Sequence, residues 1–93
     1  MQKSNRIIVT VIGQDRVGLI AGVAQVLAED NINILDISQT ILQEFFAMII
    51  IADMSRSTVD LSELKEQLDR KSRELGVRIE AQHEDAYRYM HRI

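Results

Sequence analysis

The chain of 93 residues contains no cysteine, no proline and no tryptophan. The missing cysteines exclude disulfides, thiol nucleophiles, zinc knuckles and iron–sulfur ligation. Two tyrosines and two phenylalanines leave few rings on which nucleic-acid bases could stack. Eleven Lys and Arg against 14 Asp and Glu give a net charge of −3. We therefore expect no direct binding to nucleic acid, because proteins that bind it normally carry a basic field.

Long apolar runs are absent as well. The longest, Phe45–Ala52, is far shorter than the roughly 20 residues that cross a bilayer. Near the N-terminus, Ile7–Ile12 is too short for a signal-peptide core and precedes no small-residue cleavage site. The 46% hydrophobic content suits one globular domain over residues 1–93, which would bury roughly 64% of its extended surface. We predict a cytoplasmic protein without membrane attachment.

Hydrophobic periodicity divides the chain into strands and helices. Four segments have the composition of β-strands, the last of them with the clean alternation of an edge strand: Arg6–Gly13, Ile32–Leu42, Phe45–Ala52 and Val77–His83. One helix is predicted from about Val17 to Asp30. A second begins at the capping box of Asp60 and Glu63 and ends before Gly76.

Smaller signals refine this pattern. Asn31 is predicted to follow the first helix in a left-handed conformation. The alternation of the second strand slips by one residue near Leu35 and Asp36, which predicts a β-bulge. Gln43 and Glu44 form a short turn between the second and third strands. At the C-terminus, the spacing of three apolar residues suggests one more amphipathic turn: Ala86, Met90 and Ile93.

The order β-α-β-β-α-β predicts an α+β fold, the ferredoxin-like sandwich. It has a four-stranded antiparallel sheet with both helices on one face. Many unrelated functions use this topology, so function must be judged from individual residues.

The residues offer little for catalysis or metal binding. His83 and His91 have no second ligand at metal spacing, and we expect neither a metal nor a cofactor. No Ser-His-Asp signature is present, although sequence cannot reveal a spatial triad. The adjacent Phe45 and Phe46 would point to opposite faces of a strand, which favours core packing over base stacking. We expect the protein not to be an enzyme.

The loop from Gly13 to Gly18 is the most informative segment. It joins the end of a strand to a helix N-terminus, where free N–H groups and the helix dipole favour an anion such as a carboxylate. Gly18 would let a ligand approach the backbone, and Asp15 offers a carboxylate for an ammonium group. One loop could thus meet both ends of a zwitterion. The alternative is a structural turn that uses glycine for its backbone angles.

Two motifs carry a resemblance to a known family. The run Gly13-Gln-Asp-Arg-Val-Gly-Leu-Ile20, a helix, and then Asn31-Ile-Asn-Ile-Leu-Asp-Ile37 resemble an ACT domain. Residues 36–41 and 46–48 further resemble small bacterial stand-alone ACT proteins, which are similar to the glycine cleavage system transcriptional repressor. The resemblance implies a regulatory module that binds an amino acid or another small ligand between two domains, whose edge strands join into one eight-stranded sheet.

Carried over by position, the ligand would lie between the first loop of one domain and the second strand of its partner. The implied site residues are Gln14, Asp15, Arg16, Val17, Gly18, Leu19 and Ile20 from the loop, with Asn33, Ile34, Leu35 and Asp36 from the second strand. A lone domain has no catalytic or DNA-binding part to regulate, so a protein partner is expected.

Dimerisation is also expected from the strand itself. The second strand is rich in isoleucine and lacks Lys and Pro, so its edge would need covering by a second copy about a two-fold axis. The leading hypothesis is a non-enzymatic homodimeric sensor of a small ligand. The alternative is a ligand-free dimerisation or adaptor module.

Overall fold

Four antiparallel strands form one sheet in the computed structural model, which describes residues 5–14 and 17–90. In chain order the elements are β1 (Arg6–Gln14), α1 (Leu19–Glu29), β2 (Asn33–Leu42), β3 (Phe45–Asp53), α2 (Leu61–Leu75), β4 (Arg78–His83) and α3 (Glu84–Met90). The strand order is β2-β3-β1-β4. This is the predicted ferredoxin-like sandwich, with the short helix α3 added after the last strand.

The core lies between the sheet and the helices α1 and α2. Every second residue of the central strands is buried there, together with one apolar stripe from each helix: Ile7, Val9, Val11, Phe46, Met48, Ile50, Leu19, Val23, Leu27, Leu64 and Leu68. The prediction that β1 and β3 are central is confirmed. On the face of the sheet that points away from the helices, β1 and β3 are less buried than their continuous apolar runs suggest. Ile12, Phe45 and Ile49 are 49%, 54% and 38% exposed.

The predicted irregularities are present. The register of β2 against β3 shifts between Ile34 and Asp36, which makes Leu35 the extra residue of a β-bulge. Asn31 has a φ of 59°, in the left-handed region. The start of α1 was predicted two residues too early. Gly18, with a φ of 88°, cannot be helical, so the helix begins at the next residue.

The second helix has the predicted ends. The Asp60 carboxylate accepts a hydrogen bond from the Glu63 N–H at 2.8 Å, and Gly76 ends the helix with a φ of 70°. The sequence pattern predicts that the loop begins at Gly13, but β1 continues through this residue to Gln14. A Cβ added at Gly13 would lie 2.7 Å from Cγ1 of Val77, so the glycine permits a close approach of two segments.

The chain after β4 turns directly into α3, which packs against β1 and β4. Glu84 is buried at the start of α3, and its carboxylate pairs with Arg6 at 2.5 Å and with Arg88 at 2.8 Å. The predicted terminal turn is therefore a helix as far as Met90, while His91 and Ile93 lie outside the described residues. None of the helices described is both long and apolar enough to cross a membrane.

Candidate functional site

The described residues of the turn between β1 and α1 are exposed to solvent. Gln14 is exposed at the end of β1, and Val17 is fully exposed. Asp15 and Arg16, which the sequence places in the candidate site, lie outside the described residues. No described atom lies within 4 Å of the position that a Cβ on Gly18 would take. A small ligand could therefore approach the backbone of Gly18 directly.

The N-terminus of α1 is available to an anion. No described side chain caps it, and its first turn contains no acidic residue. The Gly22 N–H donates to the Gly18 carbonyl at 2.8 Å, so the N–H groups before Gly22 precede the first intrahelical hydrogen bond. Leu19 anchors this end in the core with 2% of its surface exposed, while Ile20 is 39% exposed. The geometry suits a carboxylate held by backbone N–H groups.

The remaining predicted residues lie at the start of β2: Asn33, Ile34, Leu35 and Asp36. Within one copy of the chain they are far from the turn. Gln14 pairs with Phe45 at one end of the sheet, whereas Asn33 pairs with Asp53 at the other end. The length of β3 between those pairs corresponds to about 27 Å. A single copy therefore holds the two groups of predicted residues at opposite ends of its sheet.

The two edges of the sheet differ sharply. In the described part of the chain, β2 pairs on one side with β3, and its other side is open. That strand carries three exposed large apolar side chains, Leu35, Ile37 and Ile41, and has no Lys, Arg or Pro. The opposite edge strand, β4, bears the ion pair of Arg78 and Glu80 at 2.6 Å. The β2 edge carries Asp36 but none of the lysine, arginine or proline residues that discourage strand pairing.

A polar cleft lies beside the start of β2. Its volume is about 510 Å³, and it is lined by Ala28, Asn31, Ile32, Asn33, Asp53, Ser55 and Arg56. Of these residues, Asn33 alone is among the site residues predicted from the sequence. For the polar residues after β3, the sequence signal is that Asp53, Ser55 and Arg56 come at the end of an apolar strand. Within residues 5–14 and 17–90, no cluster of three potential metal ligands occurs.

Comparison with known proteins identifies the family. The family model of the ACT domain matches residues 5–82. The chain belongs to the ACT domain family. It is 55% identical to a UPF0237 protein of Methanocaldococcus jannaschii over 89 residues, which cover 96% of this chain and 99% of the relative.

Two solved structures extend the comparison. An ACT domain protein from Streptococcus pneumoniae is 36% identical, with a TM-score of 0.75 over 86% of this chain and 90% of that one. A protein assigned as a glycine cleavage system transcriptional repressor is 25% identical, with a TM-score of 0.73 over 88% of this chain and 48% of that one. ACT domains are regulatory domains that bind small ligands.

Proposed function

We propose that this ACT domain is a cytoplasmic, non-enzymatic regulatory module that binds an amino acid or a similar small ligand between two copies of the chain. Membership of a regulatory, small-ligand-binding family supports this function. The observation that carries it is the β1–α1 turn, where Gly18 is left-handed and, among the described residues, no atom lies within 4 Å of a Cβ there and no side chain caps the adjoining helix N-terminus.

Strand directions support a site shared between two copies. Both β1 and β2 are antiparallel to β3, so they run in the same direction. If two β2 edges pair about a two-fold axis normal to the sheet, the partner copy runs in the opposite direction. Its β1–α1 turn then lies at the end of the joined sheet where this copy's β2 begins. Pairing the exposed edges thus brings the two separated groups of residues to the same end.

The proposed ligand contacts follow the charges. The N–H groups of Gly18 and Leu19 bind the carboxylate, and Asp15 binds the ammonium group of the same ligand. The start of β2 in the other copy closes the site with Asn33 and its neighbours up to Asp36. Binding shifts an equilibrium only through different affinities for two states. A partner protein that recognises one of those states would receive the signal.

A thermal-shift screen of the twenty amino acids tests ligand binding. At 100 times its Kd, a ligand specific for the folded state adds about 2.7 kcal/mol, which is several degrees for a domain of this size. The variant Gly18→Val should lose the shift, because its side chain would occupy the approach to the backbone. An unchanged midpoint with every amino acid would contradict the proposed function.

The alternative is a ligand-free adaptor with the same dimer. The exposed apolar edge of β2 favours it, because that edge needs a second strand whether or not a ligand is bound. The two functions differ in the thermal-shift screen alone, since both require a dimer. Analytical ultracentrifugation that shows a monomer at tens of micromolar would contradict both.

A further inference from the structure

The cleft beside β2 has the size and chemistry of a ligand-binding site. Its volume of about 510 Å³ falls within the range of small-molecule pockets. Five of its seven lining residues are polar or charged: Asn31, Asn33, Asp53, Ser55 and Arg56. One cation and one anion are among them. Such a lining suits a small ligand that carries both charges.

Hydrogen bonds fix the backbone that surrounds the cleft. The Asn31 Nδ2 donates to the Arg56 carbonyl at 2.9 Å, which ties the loop after β3 to the end of α1. The Thr58 N–H donates to the Asp30 carbonyl at 3.0 Å and reinforces the same link. These bonds connect segments more than 20 residues apart, so the walls of the cleft are positioned before any ligand arrives.

Both charges remain available. Within the described residues, the exposed Arg56 makes no ion pair, so its guanidinium is free to form a fork with a carboxylate. Asp53 accepts two hydrogen bonds from Ser55, at 3.0 Å from the N–H and 2.9 Å from Oγ. A carboxylate has about four lone-pair positions, so further donors can bind. The C-terminus of α1, which ends at Glu29 shortly before Asn31, adds partial negative charge that also favours an ammonium group.

We propose that this cleft is the charge-recognising half of the ligand site, in which Arg56 binds the carboxylate of a free α-amino acid and Asp53 binds its ammonium group. The inference rests on the proposed function, because pairing of two β2 edges brings the partner copy's β1–α1 turn to this end of the sheet. The turn contacts the same carboxylate and ammonium group from the other copy, and the cleft adds Arg56 and Asp53, which favour a zwitterion over ligands with one charge.

The test combines charge-neutral variants with charge-deleted probes. The variants are Arg56→Gln and Asp53→Asn, with Arg70→Gln as a matched control on α2. The probes are the twenty amino acids and, for the one that binds wild-type protein most tightly, its α-amide and its α-hydroxy acid. The amide lacks the carboxylate, and the hydroxy acid lacks the ammonium group. Titration calorimetry gives each affinity, and thermal unfolding reports whether each variant is folded.

The proposal predicts a selective pattern. Arg56→Gln should weaken binding of the amino acid about 10- to 100-fold, as expected for loss of a charge-assisted contact, and should leave binding of the amide unchanged. Asp53→Asn should weaken the amino acid by a similar factor and leave the hydroxy acid unchanged. Arg70→Gln should bind all three probes as the wild type does.

Other results would overturn it in distinguishable ways. Suppose that an amino acid binds the wild type and that Gly18→Val abolishes this binding. Wild-type affinity in Arg56→Gln would then show that the cleft is not part of the ligand site, while the proposed function would still hold. An equal loss for the amino acid and its amide shows that Arg56 does not bind the carboxylate. If no amino acid binds the wild type, the proposed function and this inference fall together. Should Asp53→Asn fail to fold, the Arg56→Gln comparison alone decides.

Discussion

Replacing Gly18 by alanine separates the conformational role of this glycine from its role in binding. Its φ of 88° lies in the left-handed region, where an L-residue costs about 1–2 kcal/mol. No described atom lies within 4 Å of the new Cβ, so no steric clash adds to this cost. Alanine also restricts the unfolded chain, which stabilises the folded state by about 0.4–1 kcal/mol and offsets part of this cost. We expect Gly18→Ala to lower the free energy of unfolding by about 0.5–1.5 kcal/mol.

Urea and thermal unfolding measure this change, which corresponds to a fall in Tm of roughly 3–10 °C for a domain of this size. Gly76→Ala is the matched control, since Gly76 has a φ of 70° outside the proposed site. It should lose comparable stability and keep its affinity for ligand. Gly18→Asn should keep most of its stability, because asparagine tolerates the left-handed region, yet it should lose ligand affinity. Wild-type affinity in a folded Gly18→Asn would refute a ligand contact at this backbone.

Three further substitutions test other parts of the structure. Ile37→Lys places a charge on the exposed edge strand β2, so sedimentation should show that the proposed dimer dissociates. Glu66→Lys, on the exposed face of α2, should leave that dimer intact. Gly13→Ala should destabilise the fold by about 1–3 kcal/mol in urea unfolding, because its Cβ would lie 2.7 Å from Cγ1 of Val77; an unchanged midpoint would show that the two segments separate freely. Glu84→Ala should lower the free energy of unfolding by about 1–2 kcal/mol, since two arginine partners lose a buried carboxylate. Urea unfolding at high salt should show a smaller difference in stability between the variant and the wild type.

Local signals in the sequence were sufficient for the order of the elements and for several fine details. The bulge at Leu35 could be predicted because strand side chains alternate with a period of two, so one slipped residue reverses the parity. Gly76 and Asn31 could be predicted as left-handed because few residue types adopt that conformation at a helix end. Each of these features depends on a few neighbouring residues.

Features that depend on distant parts of the chain could not be predicted in the same way. The need for glycine at position 13 arises from Val77, which approaches it only after α2 has packed. The cleft brings Asn31 together with Arg56, whose separation of 25 residues leaves no local pattern. Apolar residues on both parities of β3 marked a central strand, but they could not show that Phe45 stays half exposed on the second face.

The separation of the candidate residues has a consequence for regulation. Because the β1–α1 turn and the start of β2 lie about 27 Å apart in one copy, a monomer holds only half of each proposed site. In the proposed two-fold dimer, two identical sites are complete and each ligand contacts both copies. A ligand that binds the dimer more tightly than the monomer must stabilise the dimer. By linkage, the gain in dimer stability equals the difference between the two binding free energies. We therefore expect the proportion of dimer to rise with ligand concentration, so that a partner that recognises the joined sheet would respond to the ligand without touching it.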